Sequence, residues 1–469
     1  MASPASVAEH APVGTPIRRV LVANRGEIAV RVVRACRALG IETVVVVSTV
    51  DRGGLAARLA DRAVCIGPAP ASESYLAIPS VLSAALGTGC DAVHPGYGFL
   101  SENPDFAAAC VAEGLTFIGP RPEAVAQAGD KARARELART AGIPVLSGSP
   151  VLATAQEAVE AAAALGYPVL VKAAAGGGGR GMSVVESEDE LRSRWPAAAG
   201  EAQAAFGDGR LYVERFIRNA RHIEVQVLGD KHGSVIHLGE RDCTLQRRHQ
   251  KVVEESPAPN IPEEVRQAIR RSGVAFAEAL RLDSAGTAEF IYDADTCRYA
   301  FLEFNARIQV EHPVSEMVTG VDLVAEQIRS AAGEPLRLTQ DDVRVDGHAI
   351  EVRITTEDPA RGFTPHPGTV TTWVPPQGEG IRVDSHCEPG HVVTPYYDSL
   401  LAKVVAHGPD RDTAADRLVA ALGRLQVAGV PTTRDFARTA LDHPDFRAGR
   451  VTTEWIAARG LPDHLEENR

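Results

Sequence analysis

Aromatic side chains and methionine are scarce in this chain: Phe, Trp and Tyr make up 5% of 469 residues, and Met occurs three times. Its cores must therefore be filled mainly by Val, Leu, Ile and Ala. Cysteine is sparse and scattered, at Cys36, Cys65, Cys90, Cys110, Cys243, Cys297 and Cys387. An odd count with no CxxC spacing argues against a disulfide framework or a zinc site and reads as free thiols in a reducing cytoplasm. Basic residues are outnumbered, 49 Lys plus Arg against 61 Asp plus Glu, a formal charge of −12. That balance disfavours non-specific binding to nucleic acid or an anionic membrane. No apolar run approaches the roughly 20 residues of a membrane span. The opening residues 1–16 lack the basic-then-apolar order of a signal peptide, so they read as a disordered tail and the chain as cytoplasmic.

What is present implies several domains, since the length exceeds what one core sustains. Residues 17–130 read as an open, mainly parallel α/β sheet, with β-branched runs at 20–23 and 43–48, a helix between them, and further strands near 91–94 and 116–118. The turn after the first strand, Asn24-Arg25-Gly26-Glu27, is not a GxGxxG fingerprint, which disfavours a dinucleotide oxidoreductase. Residues 131–334 change texture: a helix near 130–141, a lid over about 145–217, and a hairpin of 288–292 with 299–303. A mixed α+β domain is expected over 335–460, contributing residues back to the site, with 461–469 as a tail.

Three stretches carry chemistry. In the hairpin, a turn centred on Thr296 puts Glu289 opposite Glu303, and like charges so placed need a cation between them. Carboxylate oxygens suit Mg²⁺. If the chain continues extended, Glu303, Asn305, Arg307, Gln309 and Glu311 share one face and Phe304, Ala306, Ile308, Val310 and His312 the other. Arg307 then offers a planar fork to a small carboxylate-like anion, and Glu311 stands where it could remove a proton from it. The second stretch is Gly176-Gly177-Gly178-Gly179-Arg180-Gly181 after a strand ending in Lys172. Glycines let backbone N–H groups approach phosphates; the run is not a GxxxxGK[ST] P-loop, and a flexible linker would look similar. The third is the basic patch Gln246-Arg247-Arg248-His249-Gln250-Lys251, either a solvated charge run or a phosphate-facing surface.

Together these stretches resemble the biotin carboxylase family, whose centre is an ATP-grasp fold. The likeness runs from about residue 17 to about 455, through residues 23–29, 94–103, 172–182, 221–226, 240–255, 303–316 and 395–399. The resemblance implies a pre-ATP-grasp N-terminal domain, an ATP-grasp domain with a mobile glycine-rich lid, and a C-terminal biotin carboxylase domain. It implies ATP binding by Lys131, Lys172, Gly176, Gly177, Gly178, Gly179, Glu214, His222, Gln246, His249, Lys251, Glu289 and Glu303. Glu289, Glu303 and Asn305 would hold Mg²⁺ or Mn²⁺, two ions, while Arg307, Gln309 and Val310 would hold bicarbonate. Glu311 would be the base, with Arg307, Lys251 and Arg353 completing the catalytic set. Tyr97, Gly98 and Arg353 would meet biotin, the carrier-bound substrate. A homodimer is implied, although Ala38 replaces an acid that helps pair subunits in some relatives. With no Ala-Met-Lys-Met segment in the chain, the biotin carrier and the carboxyltransferase are expected on separate polypeptides. Two other readings stay open: a different ATP-grasp ligase, and a catalytically silent ATP-binding scaffold.

Overall fold

Residues 44–47 are four consecutive valines, all buried, the composition of a parallel strand covered on both faces. In the computed structural model, which describes residues 16–174 and 182–459, they lie in the second of five parallel strands. These are β1 (Arg19–Val22), β2 (Glu42–Ser48), β3 (Arg62–Gly67), β4 (Ala92–His94) and β5 (Thr116–Phe117), in the order β3-β2-β1-β4-β5. The sequence reading misses β3. It is an edge strand with half of its residues exposed, and its apolar run Ala63-Val64-Cys65-Ile66 is only four residues long. The direction of strand order reverses between β1 and β4, where open sheets place ligands. There the Asn24 amide donates to the carbonyls of Pro95 and Tyr97, both at 2.7 Å, tying the loop after β4 to the end of β1. Gly96 (φ +64°) makes this approach feasible, since a Cβ would come within 2.9 Å of the Asn24 amide nitrogen.

The next unit is a small antiparallel sheet of β6 (Val169–Ala173), β7 (Met182–Val185) and β8 (Leu211–Arg215), with β6 in the middle. Helices Ala155–Leu165 and Glu188–Phe206 pack on it. The run Gly176 to Gly179, all but Pro16 of the expected tail at 1–16, and the whole of that at 461–469 lie outside the described residues.

Eight strands form the largest sheet: β9 (Ala220–Gly229), β10 (Val235–Arg247), β11 (Gln250–Ser256), β12 (Ala285–Asp293), β13 (Arg298–Asn305), β14 (His348–Thr355), β15 (Ile381–Ser385) and β16 (Leu400–Gly408). Their order is β13-β12-β9-β10-β11-β14-β16-β15, antiparallel throughout. The sheet runs without a break from the segment before residue 335 into the segment after it, because β14 pairs with β11. The fold is thus α/β followed by α+β, as expected.

Candidate active site

Across β9, β12 and β13 three acids stand in a row: Glu224 is paired with Glu289, and Glu289 with Glu303. Such a row is stable only with cations among the carboxylates. His222 supplies one, its Nε2 lying 3.0 Å from Glu224 Oε1 and 2.9 Å from Glu289 Oε2. Burial pushes that imidazole down, but Glu289 and Glu224 outweigh it and raise it to about 10, so it is charged at neutral pH. Lys251 supplies the second cation: its Nζ contacts Glu224, Glu289 at 3.3 Å and Glu311 at 2.5 Å. Behind them the fully buried Arg241 donates to Glu224 Oε2 at 3.0 and 3.2 Å, to Gln226 at 2.6 Å, and to Gln309.

The extended path through Glu311 is overturned. Strand β13 ends at Asn305, the chain bends at Ala306-Arg307 and turns at Val310-Glu311, and a helix begins at His312. Asn305 Nδ2 and Gln309 Nε2 both donate to Glu289 Oε1 at 2.7 Å. On a straight strand four residues would separate them by about 13 Å. That shared acceptor is what holds the chain out of strand geometry, and Pro313, in the first turn of the helix that follows, fixes the far end of the path, being without the N–H a ladder needs and preset for a helix start. The turn still delivers Asn305, Gln309 and Glu311 to one place, by folding rather than by alternation. The Gln309 amide faces inward between Arg241 and Glu289, while Arg307 donates to Asn305 Oδ1 at 3.0 Å and pairs with Glu102 at 3.0 Å.

Glu311 sits between two cations, Lys251 on one oxygen and Arg353 Nη2 at 3.0 Å on the other. Burial pushes its carboxyl up and Glu224 adds to that, but Lys251 and Arg353 prevail and hold it below the usual range. Arg353 is itself held by Glu254 through Nε at 2.6 Å. A cavity of about 700 Å³ opens beside these groups, lined by Tyr97, Gly98, His249, Lys251, Val310 and Arg353 among others. His249 reaches it from a two-residue hairpin loop in which Arg248 and His249 both have positive φ, +48° and +64°. Gln246, on the strand before that loop, donates to the Cys243 carbonyl at 2.8 Å.

On the small-sheet side, Lys172 and Arg135 both pair with the buried Glu214. Lys131 lies 3.7 Å from Glu303. Burial and the facing Glu289 push the Glu303 carboxyl up, a repulsion that a divalent cation would relieve. The hard oxygen donors of Glu289, Glu303 and Asn305 fit Mg²⁺ or Mn²⁺. Sequence reasoning missed Glu224, Arg241, Arg135 and Glu254. Glu224 had a signal, since it stands two residues from His222 on the same strand; a buried arginine such as Arg241 has none.

This lattice of acids and cations lies largely within residues 130–339, which match the ATP-binding domain of the carbamoyl-phosphate synthase L chain. Residues 16–125 match the N-terminal domain of biotin carboxylase and 351–458 its C-terminal domain. The chain is 51% identical over 439 residues to a biotin carboxylase from Nostoc, covering 93% of this chain and 98% of that one. To biotin carboxylase 1 of Bacillus subtilis it is 48% identical, covering 94% and 98%. A biotin carboxylase–β-γ-ATP complex from Campylobacter jejuni superposes with a TM-score of 0.90 at 45% identity, covering 94% and 99%. The biotin carboxylase domain dimer of Hydrogenobacter thermophilus 2-oxoglutarate carboxylase, in complex with MgADP, ADP and bicarbonate, gives 0.89 at 46%, covering 95% and 98%. The chain belongs to the biotin carboxylase family, ligases that carboxylate biotin.

Proposed function

We propose that this chain uses ATP, bicarbonate and Mg²⁺ or Mn²⁺ to carboxylate biotin borne on a separate carrier protein. This would be the first half-reaction of an acetyl-CoA or other acyl-CoA carboxylase. The observation that carries the reading is Glu311, an ionised carboxylate clamped between Lys251 and Arg353, both of which line the cavity.

In this reading Arg307, Gln309 and the Val310 backbone hold bicarbonate, and Glu311 takes its proton. A bicarbonate oxygen attacks the γ-phosphorus and ADP leaves, giving carboxyphosphate. That intermediate breaks down to CO₂ and phosphate, and the phosphate takes the ureido proton of biotin. Arg353 faces the developing oxyanion, and the nitrogen adds to CO₂. Lys131, Lys172, His222, Gln246, His249 and Lys251, with Glu214 and the Gly176–Gly179 loop, serve the nucleotide. The metal, held by Glu289, Glu303 and Asn305, would offset charge on the phosphates. Closure of a lid over about 145–217 would keep water from the intermediate. Tyr97 and Gly98 would flank biotin.

We further propose the division at 17–130, 131–334 and 335–460, a homodimer, a carboxyltransferase on another chain, and a cytoplasmic location without nucleic-acid or membrane partners. No described helix is long and apolar enough to cross a membrane. The dimer of the Hydrogenobacter domain supports the oligomeric reading. The test is ATP cleavage by the purified chain: it should require bicarbonate, rise with free biotin, and fall at least about 100-fold in Glu311→Gln. Stimulation by an amine in place of biotin would sink the proposal.

A further inference from the structure

Lys403 is fully buried and lines no part of the cavity, yet it touches two of its walls. On β16 it is paired directly with Arg353 of β14 and with Asp384 of β15. Two cations side by side on neighbouring strands repel, and taking an ammonium out of water is costly. A methionine would fill the same volume without either penalty. What a methionine could not do is hold two acceptors at once. Lys403 Nζ donates to the Val310 carbonyl at 2.9 Å and pairs with Glu27 Oε1 at 2.7 Å, with Asp384 Oδ2 3.8 Å away. The other oxygen of Glu27 accepts from the Tyr97 hydroxyl at 3.3 Å. Val310, Glu27 and Tyr97 all line the cavity.

We infer that Lys403 is a positioning residue for both halves of the reaction site, fixing the Val310-Glu311 turn through the Val310 carbonyl and the Tyr97 side chain through Glu27. The carbonyl it holds belongs to the planar peptide joining Val310 to Glu311. Pinning that plane from behind sets the direction in which Glu311 leaves the turn toward Lys251 and Arg353. Glu27 carries the same anchor to the opposite wall. One ammonium therefore couples the placement of the base to the placement of the ring of Tyr97. The inference rests on the proposed function, in which the turn holds bicarbonate and Tyr97 faces biotin.

The test is steady-state kinetics on Lys403→Met, Glu27→Gln and the double variant, varying bicarbonate, free biotin and ATP separately. Lys403→Met should raise KM for bicarbonate and for biotin about tenfold or more, the loss expected of a buried charge-assisted hydrogen bond. KM for ATP should move less than about twofold. Glu27→Gln should raise the biotin KM alone, because the Lys403–Val310 contact survives it. A general loss of structure would move all three constants together. Should Lys403→Met fail to fold, the double variant removes the lone buried carboxylate and should still raise both constants. A folded Lys403 variant with an unchanged bicarbonate KM overturns the inference, and so does an equal rise for ATP. Failure of both Lys403 variants to fold also overturns it, since Lys403 would then be structural. A wild-type chain without bicarbonate-dependent ATP cleavage defeats the functional reading itself, which the variants alone cannot do.

Discussion

Glu254 on β11 and Glu351 on β14 are direct partners across two antiparallel strands, both fully or nearly fully buried. Among the described residues neither oxygen of Glu351 has a hydrogen-bond partner, nor does Oε2 of Glu254. Burial pushes both carboxyls up: Glu254 to about 7 despite Arg353, and Glu351 well above the usual range despite Lys403. Glu351 therefore holds its proton to higher pH than a free carboxyl does. Arg353, beside both, is left with Glu254 and Glu311 as its partners.

A buried acid whose carboxyl is pushed up makes stability depend on pH in a definite direction. Because the folded-state value of Glu351 is raised, its contribution is complete below the unfolded value and is lost as pH rises toward the folded one. Glu351→Gln should therefore gain on wild type as pH rises. Thermal unfolding at about pH 5 and about pH 8.5 should show the gap in Tm widening by about 2–4 °C at the higher pH. An equal gap at both would mean that Glu351 is ionised in the folded protein.

Lys251 touches three buried carboxylates, those of Glu224, Glu289 and Glu311. Replacing it with Met leaves them facing one another, and removing one partner of a buried ion pair costs about 3–5 kcal/mol. Lys251→Met should melt well below wild type and lose at least about 100-fold in kcat for ATP cleavage. Calorimetry with initial-rate kinetics reads both.

Glu303 is opposed by Glu289 and only loosely paired, at 3.7 Å, with Lys131. Glu303→Gln relieves the repulsion and should leave Tm unchanged or slightly raised. The Mg²⁺ concentration for half-maximal activity should rise about tenfold. A metal titration in which the variant overlays wild type would remove Glu303 from the metal site.

Glu214 gathers Arg135 from the helix Lys131–Thr140 and Lys172 from β6 onto one carboxylate. Glu214→Gln weakens both pairings and should raise KM for ATP about tenfold, with bicarbonate KM unchanged. Fluorescent-nucleotide binding would separate this effect from a change in chemistry.

The Glu289–Glu303 pairing was legible, but by a different route from the one expected: near the turn Asp293 faces Arg298, a register that would set Glu289 against Leu302, and a shift between Glu289 and Phe290 brings Glu303 opposite instead. The polar order from Glu303 to Glu311 was legible too, but its geometry was not. A period-2 alternation can continue through a bend, and nothing local in Ala306-Arg307 announces one. Pro313 was the available sign that the strand had ended. Arg241 and Lys403 were illegible for a different reason. Lys403 lies among apolar strand residues and its partners Glu27 and Val310 come from segments far away in sequence, while Arg241 stands in the charged run Glu240-Arg241-Asp242, which reads as a solvated surface although its partners Glu224, Gln226 and Gln309 bury it.

The pairing of β11 with β14 makes a sheet, rather than a peptide linkage, the joint between the segments that carry Glu311 and Arg353. The connection between the helix ending at Ala332 and the start of β14 at His348 carries no strand of that sheet. A protease nick there would cut the chain without parting the halves. Each fragment alone would expose a long unpaired strand edge, a surface prone to stick to any other strand. Expressed together, two such fragments should cap each other's edges and restore the cavity, so complementation in trans measures the strength of that joint.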